Sequence, residues 1–285
     1  ELPEVEVTRR KLYPLVVGQR LFLSHRDPGR YRGTDTAEGQ RVLDLFRRGK
    51  YLLFQLERHE LVLHLGMTGG FLLWPQGASR KEEPPHTRVV FRFGKTPLYF
   101  TDPRRFGRIW VVEQGNYREI PLLQRMGPEP LSELFTLDRF LKDLRRKALL
   151  KPLLLSQEVV AGLGNIYADE VLFQAGLRPD RPAHTLSQEE AQRLFRAFAT
   201  FMLLVREVLE EAIRLGGSTL QDRTYRQPDG EAGAYQTQHQ VYGRAGKPCP
   251  RCGAPILRVR LGGRSTHFCP RCQAEPGQTD VRPDR

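Results

Sequence analysis

Short apolar runs alternate with charged turns from Arg20 to about Val112. Tyr51-Leu52-Leu53-Phe54 and Glu60-Leu61-Val62-Leu63-His64-Leu65 are typical, each broken off by glycine, proline or charge. Runs this short, separated by hairpin-length gaps, predict an antiparallel β-sandwich rather than a parallel sheet. A short helix is predicted ahead of them. Pro3 suits a first helical turn, Glu4 and Glu6 suit its positive end, and Pro14 is expected to stop it.

The period changes in the second half of the chain. Ser187 with Glu190 forms a capping box, and Leu194, Phe198, Phe201, Val205, Val208, Ala212 and Leu215 then recur every three or four residues. Gly216-Gly217 ends that helix. Nothing polar interrupts the stripe, so it reads as core and not as a cofactor groove. The expected organisation is α+β: a sandwich domain with an N-terminal helix over 1–115, a linker over 116–130, a helical domain over 131–235 with a loop at 218–235, a cysteine module over 236–273, and a flexible tail over 274–285.

Charge narrows the partners. Lys and Arg number 45 against 33 Asp and Glu, a formal net charge of +12 in 285 residues, which favours a polyanion. A basic surface that merely keeps the protein soluble is the plainer alternative. No stretch approaches the roughly 20 apolar residues that span a bilayer, so no membrane partner is expected. The acidic opening Glu1-Leu2-Pro3-Glu4 is unlike a signal peptide. A cytoplasmic location is therefore expected, with the four cysteines reduced unless a metal holds them.

Cys249-Pro-Arg-Cys252 and Cys269-Pro-Arg-Cys272 use every cysteine in the chain. Two short-spaced pairs match a closed tetrahedral structural zinc site; two disulfides or a redox pair compete but suit the cytosol less well. Between the pairs, Arg258, Arg260 and Arg264 alternate with Ile256, Leu257, Val259 and Leu261, as in a two-stranded ribbon. An arginine on its turn either forks two donors onto a phosphate or is simply solvated. Ala161-Gly162-Leu163-Gly164-Asn165 leads into another helix, with Asn165 expected as its N-cap. Exposed amides at such a start bind phosphate well, although Gly-Leu-Gly turns are often only structural.

Four segments in order carry a resemblance: the opening Glu-Leu-Pro-Glu-Val-Glu, Arg104-Arg105-Phe106-Gly107 after Asp102-Pro103, the run from Gly162 to Glu170, and the terminal cysteine module. Together they resemble the bacterial formamidopyrimidine-DNA glycosylase family, from Glu1 to about Gln273. The resemblance implies a β-sandwich, a helix-two-turn-helix domain and a zinc finger. It also implies a monomer in the bacterial cytosol that acts on double-stranded DNA holding oxidised purines or abasic sites.

It further implies roles by position. Glu1 matches the catalytic carboxylate that assists opening of the deoxyribose by proton transfer, and Glu4 the second family carboxylate, if it is not only a helix-start charge. Lys50 matches a lysine on the phosphate beside the lesion. Met67, Arg104 and Phe106 match the trio that fills the gap left by a flipped nucleotide, with Arg104 reading the cytosine opposite. Asn165 and Arg264 become phosphate clamps, Lys151 a residue near the lesion, and 218–235 the lid over 8-oxoguanine.

The family's nucleophile is the amine of an N-terminal proline, one residue ahead of Glu1, so the encoded protein is expected to begin Met-Pro-Glu. Two rivals remain open at this level. One is an endonuclease VIII-type enzyme for oxidised pyrimidines; the other is a zinc-dependent DNA-binding protein that recognises lesions without cutting.

Overall fold

Leu2, Val5, Leu12 and Val16 lie on one side of the first helix, and all four are buried. That spacing makes α1 (Leu2–Val16), which packs on the sheets that follow. The helix does not stop at Pro14. Proline removes only its own N–H, and Val17 still donates to the Tyr13 carbonyl at 3.1 Å before Gly18 turns the chain at φ 82°. Fully buried Val16 holds that last turn in place. The computed structural model describes residues 2–25, 31–73, 83–200 and 239–275. Phe201 to Gly217 of the apolar stripe, Glu1, the loop 218–235 and the tail beyond 275 lie outside these residues.

Among the described residues nine strands follow: β1 (Leu21–His25), β2 (Tyr31–Arg32), β3 (Val42–Arg48), β4 (Tyr51–Leu56), β5 (His59–His64), β6 (Gly70–Leu73), β7 (Thr87–Phe93), β8 (Thr96–Thr101) and β9 (Arg108–Glu113). They form a four-stranded sheet, β1-β7-β8-β6, and a five-stranded sheet, β2-β9-β5-β4-β3. All pairings are antiparallel except the two-residue β2, which runs parallel to β9. That strand reaches its edge by a crossover from the other sheet, so no hairpin fixes its direction. Phenylalanines join the layers: Phe54 of β4 stacks on Phe93 of β7 at 6.0 Å, and Phe71, Phe91 and Phe100 continue the ring contacts.

The topology places two loops side by side. The chain leaves β5 for β6 through 65–69, and leaves β8 for β9 through 102–107. Since β5 neighbours β9 and β6 neighbours β8, both crossings between sheets fall at one end. They approach so closely that a Cβ on Gly66 would lie 2.7 Å from the Gly107 nitrogen, and Gly66 itself has φ 72°. No other residue satisfies both demands.

The described residues divide into two compact units, one ending at Gln124 and one starting at Arg125. The division falls within the expected linker, which also holds the single turn α2 (Pro121–Gln124). The second unit contains α3 (Leu137–Leu144), α4 (Leu150–Leu155) and α5 (Asn165–Ala175), followed by a helix over 188–200. The ribbon strands β10 (Leu257–Leu261) and β11 (Arg264–Phe268) belong to the same unit. The capping box is formed as expected: Glu190 N donates to Ser187 Oγ at 3.2 Å and Ser187 N to Glu190 Oε2 at 2.8 Å. Leu194 and Phe198 are fully buried, and Phe135 and Phe140 pack on each other and on both Phe195 and Phe198.

Candidate nucleic-acid interface

In the first unit one buried carboxylate latches the two crossing loops together. Asp102 has no exposure; its Oδ1 accepts from Thr68 Oγ1 at 2.6 Å and its Oδ2 from the Gly107 amide at 2.7 Å. Thr68 Oγ1 in turn accepts from the Arg104 amide at 3.3 Å. Charge-assisted bonds of this kind contribute about 1.5–3 kcal/mol each, so the loops are held stiffly.

What the latch presents is unusual for a protein surface. Met67 is 59% exposed and Phe106 46% exposed, although burying either side chain would stabilise the fold by about 1.5–3 kcal/mol. The exposed Arg104 guanidinium lies 5.0 Å above the Phe106 ring. Arg105 between them takes φ 57°, a left-handed backbone that costs about 1 kcal/mol or more outside glycine. Composition alone would put Met67 and Phe106 in the core. The structure brings them together with Arg104 on two adjoining loops.

A second basic element lies at the β3–β4 turn, where Gly49 has φ 55° and half-buried Lys50 follows. Arg47 at its edge reaches Glu6 on α1 at 3.2 Å, and Arg9 and Arg10 bond the same carboxylate at 2.9 Å. Burial opposes the charge on Glu6, but these arginines outweigh it and hold the carboxyl below its ordinary range. Glu4 lies in the first turn of α1 and is buried. Glu1 falls outside the described residues.

His64 was not singled out by the sequence. It pairs in register with Tyr51, their rings 4.8 Å apart, and its Nδ1 accepts the Gly66 amide at 3.1 Å. Burial, with the Lys50 and Arg108 charges, lowers its pKa to about 4. A neutral imidazole therefore stands beside a basic turn at pH 7. A histidine closing a strand two residues before a glycine was the available signal.

In the second unit the expected contacts are rearranged. Asn165 is not the N-cap of α5. Gly164 occupies that position in an extended conformation, and Asn165 sits one residue further in. Its side chain reaches across the unit instead, Nδ2 donating to the Ser265 carbonyl at 3.0 Å. Lys151 was expected near the lesion as a DNA contact, yet it has no exposure. Its ammonium meets Asp169 at 2.6 Å and donates to Ser265 O and Thr266 Oγ1, both at 3.0 Å. A lysine so buried needs this carboxylate, and its geometry offers nothing directly to a phosphate. Arg264 is exposed, at the start of β11 after the Gly262-Gly263 turn.

The four cysteine sulfurs lie within 4.8 Å of one another, with Cys249–Cys272 at 3.8 Å and Cys252–Cys269 at 3.4 Å. A tetrahedron with metal–sulfur bonds of about 2.3 Å has edges of about 3.8 Å, so the set fits zinc. These sulfur separations are well beyond an S–S bond of about 2.05 Å, which removes the disulfide alternative. Amides of Arg251 and Cys272 point at Cys249 and Cys269 sulfurs at 3.4 Å each. The module is fastened to α5 by Glu170, whose carboxylate accepts the amides of Gln240, Val241 and Tyr242 at 2.9–3.0 Å. Arg251 covers the Phe173 ring at 4.2 Å.

A β-sandwich with basic and aromatic loops, joined in sequence to a helical unit closed by a four-thiolate ribbon, defines a zinc-ribbon protein built for an anionic partner. Family comparisons make this specific. The formamidopyrimidine-DNA glycosylase N-terminal domain matches residues 1–109, the H2TH domain of that glycosylase 126–224, and a zinc finger found in FPG and IleRS 246–274. Formamidopyrimidine-DNA glycosylase from Thermus thermophilus is 58% identical over 278 residues, covering 96% of this chain and 98% of that protein. The Deinococcus radiodurans protein of the same name is 50% identical, covering 98% of each.

Among solved structures, the MutM (Fpg) protein from Thermus thermophilus superposes with a TM-score of 0.83 over 96% of this chain and 98% of that one. Lactococcus lactis Fpg, crystallised with DNA containing an abasic site, gives 0.80 at 35% identity over 96% of this chain and all of the other. The chain belongs to the formamidopyrimidine-DNA glycosylase family, and its finger holds one structural zinc.

Proposed function

We propose that this chain is a DNA repair enzyme that excises oxidised purines, 8-oxoguanine and formamidopyrimidines, opposite cytosine and then cleaves the abasic site as a lyase. Family membership supports the reaction class. The observation that carries the reading is the Asp102 latch, which holds Met67, Arg104 and Phe106 outward on stiff loops. Extruding a nucleotide costs a few kcal/mol of stacking and pairing. A preformed apolar wedge offsets that cost without first ordering itself, and an arginine beside it takes the hydrogen bonds of the orphaned base.

Lys50 and Arg264 serve as phosphate contacts in this reading, Arg264 forking two donors where a lysine offers a point charge. Asn165 and Lys151 act on Arg264 from behind through Ser265. The zinc folds the ribbon that carries Arg264; with four protein thiolates it has no open position for chemistry. The nucleophile is the proline amine that the family places ahead of Glu1. An α-amine has a pKa of about 8, so a useful fraction is neutral at pH 7, unlike a lysine near 10.4. It attacks C1′, the base leaves, and the resulting imine activates β- and then δ-elimination. Glu1 and Glu4 supply the proton transfers of ring opening.

Among the described residues no helix is long and apolar enough to cross a membrane. Four cysteines committed to a zinc site and a DNA substrate support a bacterial cytosolic location at the nucleoid, and the chain is read as a monomer. A cleavage panel tests the function. Duplexes with 8-oxoguanine or formamidopyrimidine opposite cytosine should be cut, and thymine glycol duplexes cut far more slowly. Preference for thymine glycol would assign the pyrimidine-directed activity instead, and binding without cutting would make the chain a recognition protein.

A further inference from the structure

We propose that Asp169 is a positioning residue for DNA binding, fixing the hairpin arginine Arg264 from behind; the proposal rests on reading Arg264 as a phosphate contact. Asn165 and Asp169 are four residues apart on α5, so both face the same way. Asn165 reaches Ser265; Asp169 reaches His267, its Oδ2 accepting the His267 amide at 2.9 Å and lying 3.3 Å from the ring Nδ1. Asp169 Oδ1 holds the Lys151 ammonium at 2.6 Å, and Lys151 donates to Ser265 O and Thr266 Oγ1. Three consecutive residues after Arg264 are thus gripped from α4 and α5. On the other side of Arg264 lie Gly262 and Gly263, at φ 52° and 78°, which constrain the chain least. The position of Arg264 is therefore set by its hairpin pairing with Leu261 of β10 and, from behind, by the Asp169–Lys151 pair together with Asn165.

Stability alone gives no reason for this pair. Both side chains are fully buried, and apolar residues of similar volume often replace such a pair at no loss. What they would not supply is a directional hold on the Ser265 carbonyl. The ion pair is the part of the unit that trades desolvation for a defined hairpin register.

The test measures the salt dependence of affinity for a duplex carrying a tetrahydrofuran abasic analogue, alongside bound zinc as the measure of folding. Lys151→Met with Asp169→Leu should keep one zinc yet lower the log–log salt slope by about 0.9, the value of one lost phosphate contact. Arg264→Ala should lower it by the same amount, and adding Arg264→Ala to the double variant should change it no further. An unchanged slope in the double variant, or full additivity with Arg264→Ala, overturns the proposal. If Arg264→Ala alone leaves the slope intact, the phosphate reading of Arg264 fails and this inference with it. If the double variant loses zinc, Asp169→Asn takes its place. Loss of zinc there too would make Asp169 a folding residue and overturn the positioning role.

Discussion

Lys151 and Asn165 donate to one acceptor: the Ser265 carbonyl oxygen lies 3.0 Å from Lys151 Nζ and 3.0 Å from Asn165 Nδ2. Two helices thereby converge on the residue next to the exposed arginine of the ribbon. Asn165→Ala removes one of the two donors and should cost about 1 kcal/mol of stability, read as a lower urea midpoint. It should also weaken binding to abasic duplex. An unchanged midpoint and unchanged affinity together would show that Lys151 alone suffices.

Arg104→Ala should blunt the distinction between bases opposite the lesion. A bidentate base contact contributes about 1–3 kcal/mol, so excision opposite cytosine should fall roughly 5- to 150-fold in single-turnover assays while other pairings change less. Retained cytosine preference would make Arg104 a cover for the Phe106 ring and no more.

Asp102→Asn keeps the shape of the latch but removes its charge. The Gly107 amide or the Thr68 hydroxyl then loses a strong acceptor, and the loss of stability should be about 1.5–3 kcal/mol. Excision should fall further than binding to undamaged duplex, because the wedge loops loosen first. Equal losses in both would mean that the latch serves only the fold.

His64 gives a pH dependence whose sign is fixed. Its folded pKa, about 4, is below its ordinary 6.5, so between those values the unfolded chain binds a proton that the folded chain does not. Stability from this group is complete above about pH 6.5 and is lost as pH falls towards 4, by at most about 1.4 kcal/mol per pH unit. Urea midpoints across that window should drop, and His64→Gln should flatten the drop. A slope unaltered in the variant would assign the acid sensitivity elsewhere.

The periodic parts of this molecule could be read without coordinates. Alternating runs gave the sandwich, Ser187 and Glu190 their capping box, and the paired cysteines their tetrahedron, because each depends on neighbours in sequence. Met67 and Phe106 could be placed at a surface only through resemblance, since an apolar residue says nothing of its own exposure. The roles of Asp102 and Asp169 were not legible for a related reason. Each is one acid among many in sequence, and each gains its meaning from residues up to 98 positions away. Lys151 could be placed near the lesion only by its family position, which says nothing of its burial; the partner that buries it, Asp169, lies a helix away.

The ribbon should depend on its metal. Cys252→Ser should abolish zinc binding measured by elemental analysis, and with it DNA affinity, since a site of this kind contributes folding energy directly. An active enzyme without bound metal would refute the finger.

The most direct test of the account is borohydride reduction of the full-length encoded protein during reaction with an 8-oxoguanine duplex, followed by peptide mapping of the adduct. The account predicts a covalent protein–DNA complex in high yield, joined through the amine of an N-terminal proline. Attachment through a lysine side chain, or efficient strand cleavage with no trapped complex, would contradict it.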